Sequence, residues 1–243
     1  MPRIGNNFFM GVRIPHISYR INFYYNFLLE RMKNTMLGSW KTEVTVGALP
    51  QAVATAFGKL NEQLLGAEYT PIAYLGSQIV NGTNHAVLAE QLVITGKDTK
   101  NIVVIIFNQK PNQVGDATLV SIERVLESGG ELGGVSVNVE TDIPEEAKAA
   151  FNKAFAGFVG SKVEPFVLLG TQVTKGINYI FAAEVTPVTQ NPVSTVDLVT
   201  VNALTNEVAF VDILTSKHDV LNLGYAFTWL KNQNTSEAKT LAE

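Results

Sequence analysis

An internal repeat constrains the fold of this chain more than any other feature of its sequence. Shifting the sequence by 94 residues places residues 50–108 on residues 144–202 without a gap. Proline, glycine, glutamine and asparagine rarely coincide at one constant offset by chance, so the chain contains two copies of one structural unit. The coinciding positions are Pro50 and Pro144, Ala56-Phe57 and Ala150-Phe151, Lys59 and Lys153, Gly66 and Gly160, Pro71 and Pro165, Leu75-Gly76 and Leu169-Gly170, Gln78 and Gln172, Gly82 and Gly176, Asn84 and Asn178, Ala89-Glu90 and Ala183-Glu184, and Asn108 and Asn202.

A glycine-rich stretch marks the joint between the two copies. Residues 128–134 contain four glycines in seven residues, which is typical of a flexible linker or a turn. A phosphate-binding loop is an alternative, but it needs a helix directly after the glycines, and residues 135–139 alternate like a strand. The sequence therefore predicts domain 1 at residues 36–128, a linker at 129–134, and domain 2 with a C-terminal tail at 135–243.

Both copies show the same order of elements. In copy one, Val53, Phe57, Leu60 and Leu64 fall on one face of a helix that we expect to end at Gly66. Segments rich in Val, Ile and Tyr follow, separated by turn signals. In copy two the helix is expected at residues 144–159. The predicted fold class is α+β, with one long helix packed on a four- or five-stranded antiparallel sheet in each domain.

Composition excludes several classes of function. The net charge is −4, without the basic excess typical of nucleic-acid binders. The chain has no cysteine, which excludes disulfides, a thiol nucleophile and cysteine-ligated metals. Its 3 histidines are scattered, and no recognised catalytic motif or apolar run of membrane-spanning length occurs. We therefore expect no enzyme activity, no cofactor, no metal, no nucleic-acid partner and no membrane span.

Residues 1–35 differ from the rest of the chain. They are basic and aromatic, and they lack the pattern of a signal peptide. We expect a disordered extension, or translation that starts at Met32 or Met36. An interfacial amphipathic helix and a mitochondrial-type leader are alternatives. The absence of cysteine and of a signal peptide favours a cytoplasmic location, with export left open.

A pentapeptide between the second and third strands of copy one resembles a known motif. It matches the Gln-x-Val-x-Gly signature of the cystatin family of cysteine-protease inhibitors. The following Thr83-Asn84-His85 is similar to the stefin (type 1) branch, whose members also lack disulfides. The predicted element order is that of cystatins as well, and the resemblance covers residues 36–127 and 130–224. The pentapeptide is Gln78-Ile79-Val80-Asn81-Gly82.

The resemblance implies reversible, non-covalent inhibition of papain-like cysteine proteases. In that family three segments form a wedge that enters the active-site cleft. The N-terminal segment would be Leu37 and Gly38, and the central one the pentapeptide. The third, a loop before the last strand, would contain Lys110 and Pro111, where Lys110 replaces the family's large apolar residue.

Turn chemistry agrees with a wedge tip. Asn81-Gly82 tolerates the positive φ angles of a tight hairpin, and Val80 beside it has little to pack on within its own domain. We therefore expect Val80 to be exposed. An ordinary β-turn is the alternative explanation for these residues. His85, just past the turn, is expected to be an exposed strand residue or, less favoured, a contact at the rim.

Copy two departs from the motif, so inhibition is expected mainly from domain 1. Thr174 replaces the valine, and the loop at residues 203–206 contains no proline. Domain 2 is interpreted as a weaker inhibitor, a site for a different protease, or a scaffold. The corresponding pentapeptide is Gln172-Val173-Thr174-Lys175-Gly176.

Two other functions stay open at this point. One is a module of cystatin-like fold that binds a different protein partner without inhibiting a protease. The other is a small-molecule enzyme on the related cone-shaped fold, which would need a polar Asp, His and Tyr cluster in the concave face of the sheet.

Overall fold

The structure is a computed structural model that describes residues 39–94, 99–111, 115–129 and 133–214. All of these residues belong to one compact unit. The predictions for residues 1–35, for Leu37 and Gly38, and for the tail from residue 215 onward lie outside the described residues.

Each half of the described chain contains a five-stranded antiparallel sheet and one helix. In the first sheet the strands lie side by side in the order β1-β2-β3-β4-β5, and in the second sheet in the order β10-β9-β8-β7-β6. The first half contains β1 (Trp40–Val46), α1 (Gln51–Asn61), β2 (Ala67–Val80), β3 (Gly82–Val93), β4 (Thr99–Gln109) and β5 (Thr118–Glu127). The second half contains β6 (Val135–Glu140), α2 (Glu145–Ala154), β7 (Ser161–Thr174), β8 (Gly176–Pro187), β9 (Thr195–Asn202) and β10 (Val208–Asp212).

The predicted fold class is wrong about the helices. The described chain is mostly antiparallel sheet with two short helices, of 11 and 10 residues, instead of one long helix in each domain. After α1 and α2 the backbone forms turns, in which the amides of Leu64 and Phe158 bond to carbonyls three residues earlier. Leu64 still packs against the core from its turn. Apolar spacing alone therefore overestimated the helices, because a side chain can reach the core from a turn as well as from a helix.

Each helix covers the outer face of its own sheet. α1 begins after Pro50 and buries one apolar stripe, including Phe57 and Leu60, against the first sheet. α2 begins after Pro144 and buries Ala147 and Phe151 against the second sheet. These two contacts form separate cores on opposite outer faces.

The inner faces of the two sheets pack on each other. One continuous core contains Leu75 and Leu88 from the first sheet together with Leu169 and Ile180 from the second. The described chain is therefore built of four layers: helix, sheet, sheet, helix. Strand β4 agrees with this arrangement, because residues 101–107 are all buried and all but the first are apolar. Such runs are typical of strands that are covered on both faces.

The β2–β3 turn projects from one end of the first sheet. The β7–β8 turn of the second sheet lies near the opposite end of the first sheet. Strand β5 ends at Glu127, which pairs with Asn101 at the start of β4 and so lies far from the β2–β3 turn. Just beyond it, the Gly129 amide donates a hydrogen bond to the Val135 carbonyl, 3.0 Å away. Val135 in turn pairs with Gln172, two residues before the end of β7.

A second contact shows, in the same way, that the β2–β3 turn lies near the end of the second sheet that is far from the β7–β8 turn. The Thr42 hydroxyl donates a hydrogen bond to the carbonyl of Ser194, with 2.6 Å between the oxygens. Thr42 pairs with Gly76, close to the β2–β3 turn. Ser194 precedes β9, whose first residue pairs with Val185, far from the β7–β8 turn. The two hairpin turns therefore lie at opposite ends of the sandwich.

Candidate functional site

Strand register brings two of the three predicted segments of domain 1, the pentapeptide and the loop of Lys110 and Pro111, to one end of the first sheet. Trp40, the first residue of β1, pairs with Gln78 near the end of β2. Across the hairpin, Thr83 pairs with Gln109, the residue before Lys110. The start of β1, the hairpin turn and the end of β4 therefore lie side by side. Trp40 packs into the inner core.

We call this end of the first sheet the first tip. It consists of Ile79, Val80, Asn81, Gly82, Lys110 and Pro111. The corresponding end of the second sheet is the second tip, which consists of Val173, Thr174, Lys175, Gly176, Ile177 and Leu204.

The glutamine of the pentapeptide lies inside the first sheet. Gln78 is buried, and its side-chain oxygen accepts a hydrogen bond from the Asn84 amide at 2.9 Å. The Asn84 side-chain oxygen accepts in turn from the Asn108 amide at 2.8 Å. These three side chains form an amide ladder across β2, β3 and β4. Gln78 thus supports the first tip from beneath.

The same ladder recurs in the second sheet. The Asn178 amide donates to the Gln172 oxygen at 3.1 Å, and the Asn202 amide donates to the Asn178 oxygen at 2.7 Å. Gln172 also donates to the Gly133 carbonyl at 2.8 Å, which ties the end of the linker to the second tip. Glutamine and asparagine therefore repeat in the sequence because they build this ladder twice.

The glycine of the pentapeptide is required by the backbone. Gly82 and Gly176 both have φ of +98°, which side-chain-bearing residues rarely adopt. A Cβ on Gly82 would also lie 2.6 Å from the Gln109 carbonyl oxygen. Asn81 does not share the positive φ. The two motif positions common to both halves, glutamine and glycine, are thus explained by the scaffold.

The residues left for a partner at the first tip are exposed. Ile79 is 79% exposed and Val80 is 44% exposed, so the predicted exposure of Val80 is confirmed. Asn81, Lys110 and Pro111 are exposed as well. Ile79 presents more apolar surface to solvent than the valine on which the motif depends.

The second tip presents three exposed apolar side chains. Val173 is 69% exposed, Leu204 60% and Ile177 42%. Val173 and Ile177 are cross-strand partners, and the Ala203 amide donates to the Ile177 carbonyl. Sequence reasoning missed Ile177 and Leu204. The available signal was the 94-residue shift, which places Leu204 at the position of Lys110.

His85 is not the exposed strand residue that the sequence favoured, so that expectation is wrong, and a contact at the rim stays a prediction. Its ring is half-buried beside those of Tyr74 and Phe107, with centroids at 5.9 and 5.6 Å. The Tyr74 hydroxyl lies 3.1 Å from His85 Nδ1. Burial lowers the pKa of His85 and raises the pKa of Tyr74. The strand places His85 on the helix-covered face, two residues before Val87 of the outer core.

The Tyr74–His85 pair is relevant to the alternative function of a small-molecule enzyme, which needs a cluster of Tyr, His and an acid. Tyr74 also bonds to Ser77, and His85 to Gln109. The acid whose charge reaches Tyr74 is Glu43, which is ion-paired with Lys41 at 3.2 Å. Tyr74 and His85 are thus partnered with each other, and Glu43 with Lys41.

No protein-family model matches the chain, and no curated protein shows detectable similarity to it. Within the described ranges, no group of three or more His, Cys, Asp or Glu residues is arranged to hold a metal ion. No helix in that part of the chain is long and apolar enough to cross a membrane.

Proposed function

We propose that this protein is a reversible, non-covalent inhibitor of papain-like cysteine proteases and that the first tip provides the tight inhibition. The supporting observation is the exposed pair Ile79 and Val80, which sits on a tight turn beside the loop of Lys110 and Pro111. Leu37 and Gly38 would complete the wedge, because in the sequence Gly38 lies two residues before Trp40, which pairs with Gln78.

The energetics of such a contact are favourable. Burial of a Val or Ile side chain contributes about 1.5–3 kcal/mol. The amide ladder and the turn at Gly82 hold the first tip in one conformation, so little conformational entropy is lost on binding. A few central apolar residues of this kind usually dominate the affinity of an interface.

The hairpin also explains how an inhibitor would avoid cleavage. Ile79 pairs with Thr83, so the backbone on both sides of the turn is already hydrogen-bonded within the sheet. The first tip would therefore fill a cleft with side chains and a closed turn, and would not offer an extended chain to the catalytic thiolate.

Val80→Asp tests this proposal. The variant should fold normally, because exposed positions usually change stability by only about ±0.5 kcal/mol. In the protease cleft the new carboxylate would be desolvated and unpaired, at a cost of several kcal/mol, so tight inhibition should weaken about a hundredfold or more. The inhibition constant against papain and the melting temperature are the measurements.

Thr174→Asp is the matched control, because Thr174 occupies the position of Val80 in the second half. It should leave the tight inhibition by the first tip unchanged. If Val80→Asp folds normally and inhibits as well as the unchanged protein, the first tip plays no part in inhibition.

A second candidate function is a module that binds another protein without inhibiting a protease. It is favoured by the finding that Gln78 and Gly82 have scaffold roles that recur in the second half, which does not carry the full motif. Absence of papain inhibition by the unchanged protein would favour this function.

A further inference from the structure

The apolar surface of the second tip is contiguous. Its three exposed side chains come from β7, β8 and the β9–β10 loop, which are neighbours in the sheet. Single exposed apolar residues are ordinary on protein surfaces, whereas contiguous apolar patches are the surfaces that partners use.

The exposure of Leu204 is built into its turn. The Asn202 side-chain oxygen accepts hydrogen bonds from the amides of Leu204 at 3.0 Å and Thr205 at 2.8 Å. Asn206 then adopts a left-handed conformation with φ of 57°. Backbone groups and Asn202 hold the turn, so the outward position of the Leu204 side chain does not depend on its own burial.

Charge indicates what kind of surface fits both tips. The first tip presents Lys110 and the second tip presents Lys175, and both are exposed. Neither takes part in any of the ion pairs formed among the described residues. A complementary partner therefore has an apolar cleft with carboxylates at its rim, and such complementarity favours association and correct orientation.

The fold keeps two partners apart. The hairpin turns lie at opposite ends of the sandwich, as the contacts of Gly129 and Thr42 show. A strand of 12 residues, such as β3 or β8, spans about 40 Å. That separation leaves room for a globular protein at each end.

We propose that the second tip is a partner-binding surface in its own right and that one molecule binds two papain-like proteases at once, one at each end. This inference rests on the proposed function of the first tip. The second tip is the weaker of the two, because Thr174 stands where the first tip has Val80.

The test is the mass of the complex formed by the full chain with thiol-blocked papain, measured by sedimentation velocity at saturating papain. The unchanged protein should bind two papain molecules. In a papain titration, Leu204→Asp should lose the weaker binding event, Val80→Asp should weaken the tighter one about a hundredfold or more, and the double variant should show both changes. Melting temperatures within about 1 °C of the unchanged protein would show that each variant is folded.

The outcomes separate the two proposals. A complex with one papain that is unaffected by Leu204→Asp but lost in Val80→Asp overturns the second site and leaves the first intact. No complex at all overturns both. Self-association of the free protein that Leu204→Asp abolishes would show that a second copy of the chain covers the second tip, and this too overturns the second-site proposal.

Discussion

Single side chains beneath each tip decide how rigidly it is held. In the first half, Asn84 donates one hydrogen bond and accepts another, and Asn178 does the same in the second half. A buried amide without partners costs about 1–3 kcal/mol, so each ladder strongly favours its full set of three residues. The ladders also connect three strands at the end of the sheet where the turns project, which couples the position of each tip to the sheet below it.

At the same scale, His85 makes stability depend on pH. Burial holds its pKa below the ordinary 6.5 in the folded protein, so the unfolded chain takes up the proton first as the pH falls. The stability contributed by neutral His85 is therefore complete above pH 6.5 and is lost progressively below it.

We expect the free energy of unfolding to fall by up to about 1.4 kcal/mol per pH unit below that point. His85→Gln should remove this dependence between pH 7.5 and 5.5 in chemical denaturation. The control is the double variant His16→Gln, His218→Gln, which should keep it. Equal slopes for His85→Gln and the unchanged protein would contradict this assignment.

At the scale of elements, the tips depend on two glycines with positive φ. Gly82→Ala combines an unfavourable φ with a Cβ that would lie 2.6 Å from the Gln109 carbonyl oxygen. We expect a loss of stability of about 1–3 kcal/mol, since a residue held in a sparsely populated φ region costs that much. Thermal or urea denaturation measures the change.

Gly58→Ala is the matched control for that glycine. Gly58 lies on the exposed side of α1 and a Cβ there would meet no atom within 4 Å. Alanine should therefore stabilise the helix by about 0.5–1 kcal/mol. Opposite signs for the two variants are the expected result. A Gly82→Ala variant as stable as the unchanged protein would show that the turn can relax.

At the scale of the whole molecule, the two halves share their largest core. Leu75 and Leu169 occupy equivalent positions in the repeat, and both are fully buried in the contact between the sheets. Separation of the halves would expose both inner faces to water. The domain boundaries drawn from the sequence stay a prediction, but this core argues that the halves unfold together.

Leu169→Ala changes the second half, and a probe in the first half then tests whether the two halves unfold together. The substitution should cost about 2–5 kcal/mol, and the loss should appear in full at Trp40, which belongs to the same core. In a Trp229→Phe background Trp40 is the only tryptophan, and its fluorescence should follow the same urea transition as the far-UV signal. An unchanged Trp40 midpoint alongside a shifted far-UV transition would mean that the halves unfold independently.

The sequence by itself determined the repeat and, in each copy, a helix followed by strands that turns separate. These are local properties: turn residues, β-branched runs and helix-start prolines act over a few neighbours, and both copies repeat them. It also predicted correctly that Val80 is exposed, because a hairpin tip has no layer above it. It overestimated the helices, since Leu64 and Phe158 reach apolar surroundings from turns.

Only the tertiary structure decided what covers the second face of each sheet. The continuous apolar run at residues 102–107 is typical of a strand covered on both faces, but it does not distinguish a second sheet from a further helix. Packing of the two inner faces placed the tips at opposite ends. On the outer face of the first sheet, the rings of Tyr74 and Phe107 half-bury His85. These features depend on contacts between residues far apart in the chain, which local sequence patterns do not encode.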